Sequence, residues 1–265
     1  MATHNIHGTV AAMLNPDQKT ARRGIEYFAL VQRMFVFCHE RRVQFPIGPQ
    51  DPQKVHAAAF FAKLLRDDEA AFHLLKHGMF SQSRSMLRVA IECEIILAKC
   101  CRTPGFDEVY RLASEKERLR LLKGGQRITQ GEFENVKQAI PKPMIDALAD
   151  ALRGTPEKIV EQWAIDVGLG DLYQTGYRLY SADIHSTTRS VGGFLEYDES
   201  GLASGVEWVP PVNDCRSEVV EILRVAINGF AHIANLFELP PDDAFIDLRR
   251  EYCSVEELVE TDPPE

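Results

Sequence analysis

Apolar positions recur at helical spacing along most of the chain, and prolines, glycines and capping residues cut that pattern into segments. The segments predict helices near 16–44, 52–77, 81–102, 104–123, 130–153 (interrupted at Pro141 and Pro143), 156–167, 171–190 and 213–238. A short helix near 243–252 follows. Asn15-Pro16, Asp51-Pro52, Thr103-Pro104 and Thr155-Pro156 each place a capping side chain before a proline suited to the first helical turn. Thr129 with Glu132 makes a capping-box pattern, and Pro46, Gly78, Gly124-Gly125 and Pro240-Pro241 mark helix ends. One region reads as strand. Between Phe194 and Val209, FLEY and VEWV flank a turn at Ser200-Gly201, which predicts a small β-hairpin near 194–209. The fold expected is predominantly all-α, a multi-helix bundle of about eight helices with that hairpin inserted. It forms a single helical domain over 15–253, between flexible termini at 1–14 and 254–265.

Two predicted helices depart from simple amphipathicity. In SQSRSMLRVAIECEIILAKCC, Leu87, Val89, Ile91, Ile95, Ile96 and Leu97 spread around the whole helical wheel. A helix apolar all round is usually central and buried. It nevertheless carries Arg84, Arg88 and Glu92 at four-residue steps, a row that lies along one face. Unpaired buried charge is costly, so the row is expected to face a polar pocket or a charged neighbour within the fold.

The second is Tyr177 to Arg189, YRLYSADIHSTTR. At about 100° per residue, Tyr173, Tyr177, Tyr180, Ile184 and Val191 share one apolar stripe. Arg178, His185 and Arg189 share another, with Ser181 and Thr188 at its border. A histidine between arginines can act as general base or acid near neutral pH while the arginines hold an anion such as phosphate. Metal-independent RNA cleavage needs little more than a base for the 2′-hydroxyl and cations for the phosphate. The alternative is the solvated face of an ordinary amphipathic helix, or a histidine bonded to a backbone carbonyl. For the Arg84, Arg88, Glu92 row, the functional reading is a site that tunes a nearby titratable group such as His185. The alternative is an internal salt bridge that fixes packing.

Composition narrows the classes. The chain has 265 residues, 45% hydrophobic and 26% charged, enough to bury a core. Its net charge of -9 speaks against whole-surface attraction to nucleic acid or an anionic membrane, while leaving room for a local basic patch. No 18-residue uncharged apolar stretch occurs, so no membrane association is expected. Cys38, Cys93, Cys100, Cys101, Cys215 and Cys253 form no CxxC pair. With no secretory signal pattern at the start, they read as reduced thiols of a cytoplasmic protein. Glu69, His73 and His77 share a helical face, but no second His or Cys cluster completes a zinc set, so no metal and no cofactor is expected. The N-terminal Lys19, Arg22, Arg23, Arg33, Arg41 and Arg42 read as a solvated basic face rather than a nucleic-acid stripe. Phosphate-loop, dinucleotide, HExxH and GxSxG motifs are absent from the sequence.

Two stretches resemble a known family. HGMFSQSRSMLRVAIECEI, with Arg88 and Glu92 as an RxxxE pair, resembles the RSLxE-like helix of the bacterial helical family DUF5677. LYSADIHSTTRSV resembles that family's YxxLSxxxHxS segment, with Tyr177 or Tyr180, Ser181, His185 and Ser186 at the matching positions. The resemblance spans roughly residues 50 to 240 and implies a helical fold without assigning a function. A looser similarity is to HEPN domains, all-helical and commonly dimeric modules, many of them RNases of toxin or antiphage systems. Their signature is an arginine followed by a histidine, an order that Arg178 and His185 keep, with Leu179 where a polar residue usually stands. This similarity implies a homodimer with RNA or protein as partner and, if the protein is an enzyme, a metal-independent endoribonuclease. The alternative is a non-catalytic helical domain that dimerises or binds a ligand, with Arg88 and Glu92 holding its core.

Overall fold

The structure, a computed structural model, describes residues 18–48, 51–127, 135, 139–155, 157, 159–184, 191–192, 194–206 and 215–261. Its helices are α1 (Gln18–Arg41), α2 (Pro52–Lys76), α3 (Phe80–Arg102), α4 (Phe106–Gln126), α5 (Lys142–Ala151) and α6 (Val160–Asp166). A helical run follows, made of α7 (Gly170–Leu172), a π-helical turn (Tyr173–Tyr177) and α8 (Arg178–Ile184). After the strands β1 (Leu195–Tyr197) and β2 (Ala203–Val206) come α9 (Arg216–Leu236) and α10 (Asp243–Thr261). The fold is all-α with one small antiparallel hairpin, as the periodicity predicts.

α3 is the central helix. It packs against α2, α9, α8, α6 and the π-helical turn. Leu87, Ala90, Ile91, Ile95 and Leu97 are fully buried, and they interlock with Phe61, Leu64 and Leu65 of α2 and with Ile222 and Leu223 of α9. Two glycines mark where backbones close in. A Cβ on Gly229 would stand 3.1 Å from both Leu64 methyl carbons, so this residue lets α9 lie against α2. A Cβ on Gly176 would stand 3.2 Å from Ile91 Cδ1 and 3.3 Å from Glu221 Oε1, so the π-helical turn reaches both α3 and α9 there. By length and composition α9 is apolar enough to cross a membrane, and 56% of that stretch is buried inside the fold. A separate small cluster, Leu119, Ile145 and Leu152, joins α4 to α5.

Several local expectations need correcting. Asp51 caps α2 as predicted, accepting from Lys54 N at 3.0 Å. Thr103-Pro104 does not open α4. Gly105, at φ +75°, turns the chain and the helix starts at Phe106. Gly124 and Gly125 do not end α4 either, because Gln126 continues it and its side-chain amide donates to Ile140 O. α6 starts at Val160, later than the sequence predicts. The last helix is not short. It runs to Thr261 and buries Leu248, Tyr252 and Val255, so the tail expected to be loose from 254 onward is helical through Thr261. Asn15-Pro16, Thr129 and Glu132 lie outside the described residues.

Candidate functional site

The row on α3 meets partners on two different elements. Arg84 Nε donates to Glu218 Oε1 of α9 at 2.7 Å, and Glu218 is almost fully buried. Arg88 turns toward the π-helical turn and α8. Its Nη2 donates to the Tyr177 hydroxyl, its Nε reaches Ser181 Oγ at 3.4 Å, and its Nη1 pairs with Glu92 Oε2 at 3.3 Å. The guanidinium carbon also stands 4.5 Å from the Tyr177 ring centroid. Tyr177 closes the circuit by donating to Glu92 Oε2 at 3.2 Å. Burial, reinforced by the Glu92 charge, pushes the Tyr177 phenol up to about 12, so it stays protonated and remains a donor. The Tyr173 ring stacks on Tyr177 with centroids 4.8 Å apart. The row thus has the charged and polar neighbours that its burial demands.

Over Tyr177–Ile184 and at Val191, not every side chain falls where the sequence places it. Tyr180 is buried, while Ser181, read from the sequence as bordering the arginine stripe, faces Arg88. Ile184 and Val191, read as part of the apolar stripe, are exposed. Ser181 follows Tyr177 by four residues, so at helical pitch it falls on the Tyr177 side of the segment, toward α3. Arg178 is exposed, as expected, and among the described residues it is held by the neutral side-chain amide oxygen of Gln174 at 2.8 Å. His185, Ser186, Thr188 and Arg189 lie outside the described residues.

Behind this cluster is a second charged centre that the sequence reading missed. Glu94, fully buried on α3, receives both Arg224 Nη1 and Nη2 of α9 at 2.9 and 3.0 Å, and Asn228 Nδ2 at 3.2 Å. Arg224 also bonds Glu221 through Nε and Nη2 at 3.0 and 2.8 Å. Burial works against the Arg224 charge, but Glu94 and Glu221 outweigh it and hold the guanidinium well above its usual range. Asp68 of α2 is fully buried nearby, and neither of its oxygens has a hydrogen-bond partner among the described residues. Burial first, then the Glu221 charge, raises its carboxyl far above the usual range, so it is held as the neutral acid. Tyr180 lies close enough to Glu221, Glu218, Arg84 and Arg224 to feel their charges. Burial raises its phenol, with Glu221 and Glu218 adding to the effect. A sequence signal existed for the second centre: Glu94 interrupts the apolar run IECEIIL, and Arg224 interrupts EILRVAI.

Other candidates resolve into structural contacts. Glu69 bonds His39 Nε2 and Arg66 rather than joining His73 and His77, both of which are exposed. No group of His, Cys, Asp or Glu suited to a metal ion occurs among the described residues. Arg33 and Arg41 tie α1 to Glu251 and Asp242, at and just before α10. A cavity of about 340 Å³, lined by Arg41, Phe230, Leu239, Asp242 and Phe245 among others, lies at the junction of α1, α9 and α10, away from both charged centres.

The sequence pattern of a family of unknown function, DUF5677, matches residues 54–202, more than half of the chain. The chain belongs to that family. The match is narrower than the 50–240 expected, and it divides the two centres. Arg88, Glu92, Tyr177 and Ser181 fall inside it, whereas Glu218, Glu221 and Arg224 fall beyond it. Comparison with curated proteins and with solved structures gives no significant match.

Proposed function

We propose that the face of α8 that begins at Arg178 binds RNA phosphate, and that the protein is a HEPN-like, metal-independent endoribonuclease or RNA-binding protein. One contrast carries this reading. Arg84, Arg88 and Arg224 are each paired with a carboxylate, whereas Arg178 is exposed and rests on a neutral amide. Its charge is therefore available to an anion. His185 follows seven residues later and Arg189 four beyond that. In the proposed step His185 takes the proton of the RNA 2′-hydroxyl, which attacks the adjacent phosphorus. The 5′-oxygen departs and takes up a proton, leaving a 2′,3′-cyclic phosphate, while Arg178 and Arg189 balance the charge on the phosphoryl oxygens. The Arg88–Tyr177–Glu92–Ser181 cluster orients α8. The six free thiols support a reducing, cytoplasmic setting. Exposed Leu179 and Ile184 on α8 support a homodimer formed there.

The test is cleavage of single-stranded RNA in a chelator. Wild-type protein cleaves, and Arg178→Ala and His185→Ala each abolish cleavage with helical content unchanged. A wild-type protein that leaves a broad RNA panel intact ends the catalytic reading. Arg178-dependent RNA binding without cleavage leaves the binding reading alone.

A second reading has its own observation. Arg84 and Arg88 spend their charges on internal partners, which is how a non-catalytic helical domain for dimerisation or ligand binding would hold its core. Under that reading, substitution of Arg88 costs stability and leaves any RNA contact untouched.

A further inference from the structure

Among the described elements, β1 and β2 pack chiefly on each other. A two-stranded hairpin without further cover is marginal in water. The register sets Leu195 opposite Val206, Glu196 opposite Gly205 and Tyr197 opposite Ala203, skipping Ser204. Directly opposed residues share a face of the sheet. One face therefore carries Leu195, Tyr197, Ala203 and Val206, with Ser204 at the irregularity beside them. Glu196 stands on the other, its carboxylate lying over Gly205, where any Cβ would collide with it. The apolar face is open, with Tyr197 57% and Val206 53% exposed. The tip is acidic. Asp198 fixes the turn by accepting from Ser200 N at 2.9 Å and Leu202 N at 3.0 Å, Glu199 is exposed, and 194–206 contains no lysine or arginine.

We propose that the outer edge of β1 receives an extended basic segment of a partner protein as a third strand. Among the described residues the sheet has two strands, so each keeps one edge without a strand partner. On an added strand, alternate side chains extend the two faces. Apolar residues would continue the surface of Leu195 and Tyr197, and basic residues between them would reach Glu196. Charge selects among occupants. Glu196, Asp198 and Glu199 repel RNA and anionic bilayers, and they repel an identical hairpin from a second copy. This surface is distinct from the Arg178 face and does not depend on its role.

The experiment uses the full chain and two labelled hexapeptides, one alternating lysine with valine and the other glutamate with valine, read by fluorescence anisotropy. The lysine peptide binds in the micromolar range and weakens as salt rises. Tyr197→Asp reduces that affinity about tenfold or more. Glu196→Lys weakens the preference for the lysine peptide. Circular dichroism of both variants stays unchanged, because the hairpin lies outside the core. Equal binding of both peptides, or indifference to Tyr197→Asp, overturns the proposal. So does protection of the β1 amides from hydrogen exchange in the free protein, which would mean that the edge is already covered. Conversion of a dimer to a monomer by Tyr197→Asp would assign the face to a second copy and also overturn it.

Discussion

The Glu94–Arg224 centre and the Arg88–Tyr177–Glu92 cluster share one helix and the same chemistry, yet the first is sealed and the second is half-open. Glu94 lies two residues beyond Glu92, and at helical pitch that small step carries it to the opposite side of α3. On that side the helix faces α2 and α9, and Glu94 retains no exposure, while its partner Arg224 keeps 16% of its side-chain surface. On the other side Arg88 keeps 26% and Glu92 19%. Sealed charges have no water to fall back on, so every lone pair must be answered within the protein. Half-open charges share their partners with water, which lowers their contribution to stability and leaves them within reach of a ligand. Among the described residues, Asp68 and His232 are exceptions: neither Asp68 oxygen nor His232 Nε2 has a hydrogen-bond partner, and burial favours the neutral form of each side chain.

The largest test of that contrast removes one member of the sealed pair. Glu94→Ala or Arg224→Ala is expected to cost about 3–5 kcal/mol, because an unpaired buried charge is left behind. Replacing both with leucine and methionine should recover most of the loss, and chemical denaturation measures both outcomes. If Arg224→Ala costs no more than an exposed substitution, the centre is not sealed.

Asp68→Asn comes next and has the opposite sign. The folded carboxyl binds its proton more tightly than the unfolded one, so the pH-dependent cost of Asp68 is absent below the unfolded carboxylate range. That cost grows progressively as pH rises above that range toward the raised folded value. The Asn variant should therefore melt several degrees above wild type at pH 8, about 2–4 °C for each kcal/mol recovered, and the gap should close toward pH 4. His232 bends the profile the other way. Burial, aided by the Arg102 and Arg224 charges, lowers its imidazole to about 4, so stability falls as pH drops from the unfolded range near 6.5 through that value. His232→Gln should flatten this acid limb in a series of melting curves.

In the half-open cluster the expected effects are smaller. Arg88→Ala should cost about 1–2 kcal/mol, combining a charged hydrogen bond with the contact to the Tyr177 ring. Tyr177→Phe should cost about 1 kcal/mol, since only the hydroxyl bridge to Glu92 is lost. A loss from Arg88→Ala as large as that from Arg224→Ala would erase the distinction between the regions. The smallest stability effect belongs to Arg178→Gln, within about 0.5 kcal/mol, because the side chain is exposed and rests on a neutral partner. Its effect should instead appear in RNA binding.

Much of this organisation was legible. Apolar periodicity located α2, α3 and α9 to within a residue or a few at each end, because long amphipathic or all-apolar runs carry strong signals. The alternation around Ser200-Gly201 located the hairpin. The Arg84, Arg88, Glu92 row was also readable, since charges on an otherwise apolar helix require company. Ser181 was misplaced because it lies three residues from Arg178 and four from Tyr177, and spacing alone does not say which of the two sides meets α3; the π-helical turn at Tyr173–Tyr177 leaves no obvious mark in composition. Gly176, pressed against Ile91 and Glu221, is the one residue there whose lack of a side chain hints at it. Glu94 and Arg224 were passed over because each looks like an isolated polar interruption until the other is brought opposite.

By itself, the sequence determined that the chain is helical, that α3 would be central, and that Arg84, Arg88 and Glu92 would need polar neighbours. These follow from local spacing and from the cost of burying charge, both of which are properties of single segments. Only the tertiary structure decided who those neighbours are. Glu94 and Arg224 stand 130 residues apart in the chain, and Arg88 and Tyr177 stand 89 apart. Nothing in local pattern links such positions, because their pairing depends on how α3, α9 and the π-helical turn come together. That packing seals one set of charges, leaves another half-open and presents Arg178 to solvent.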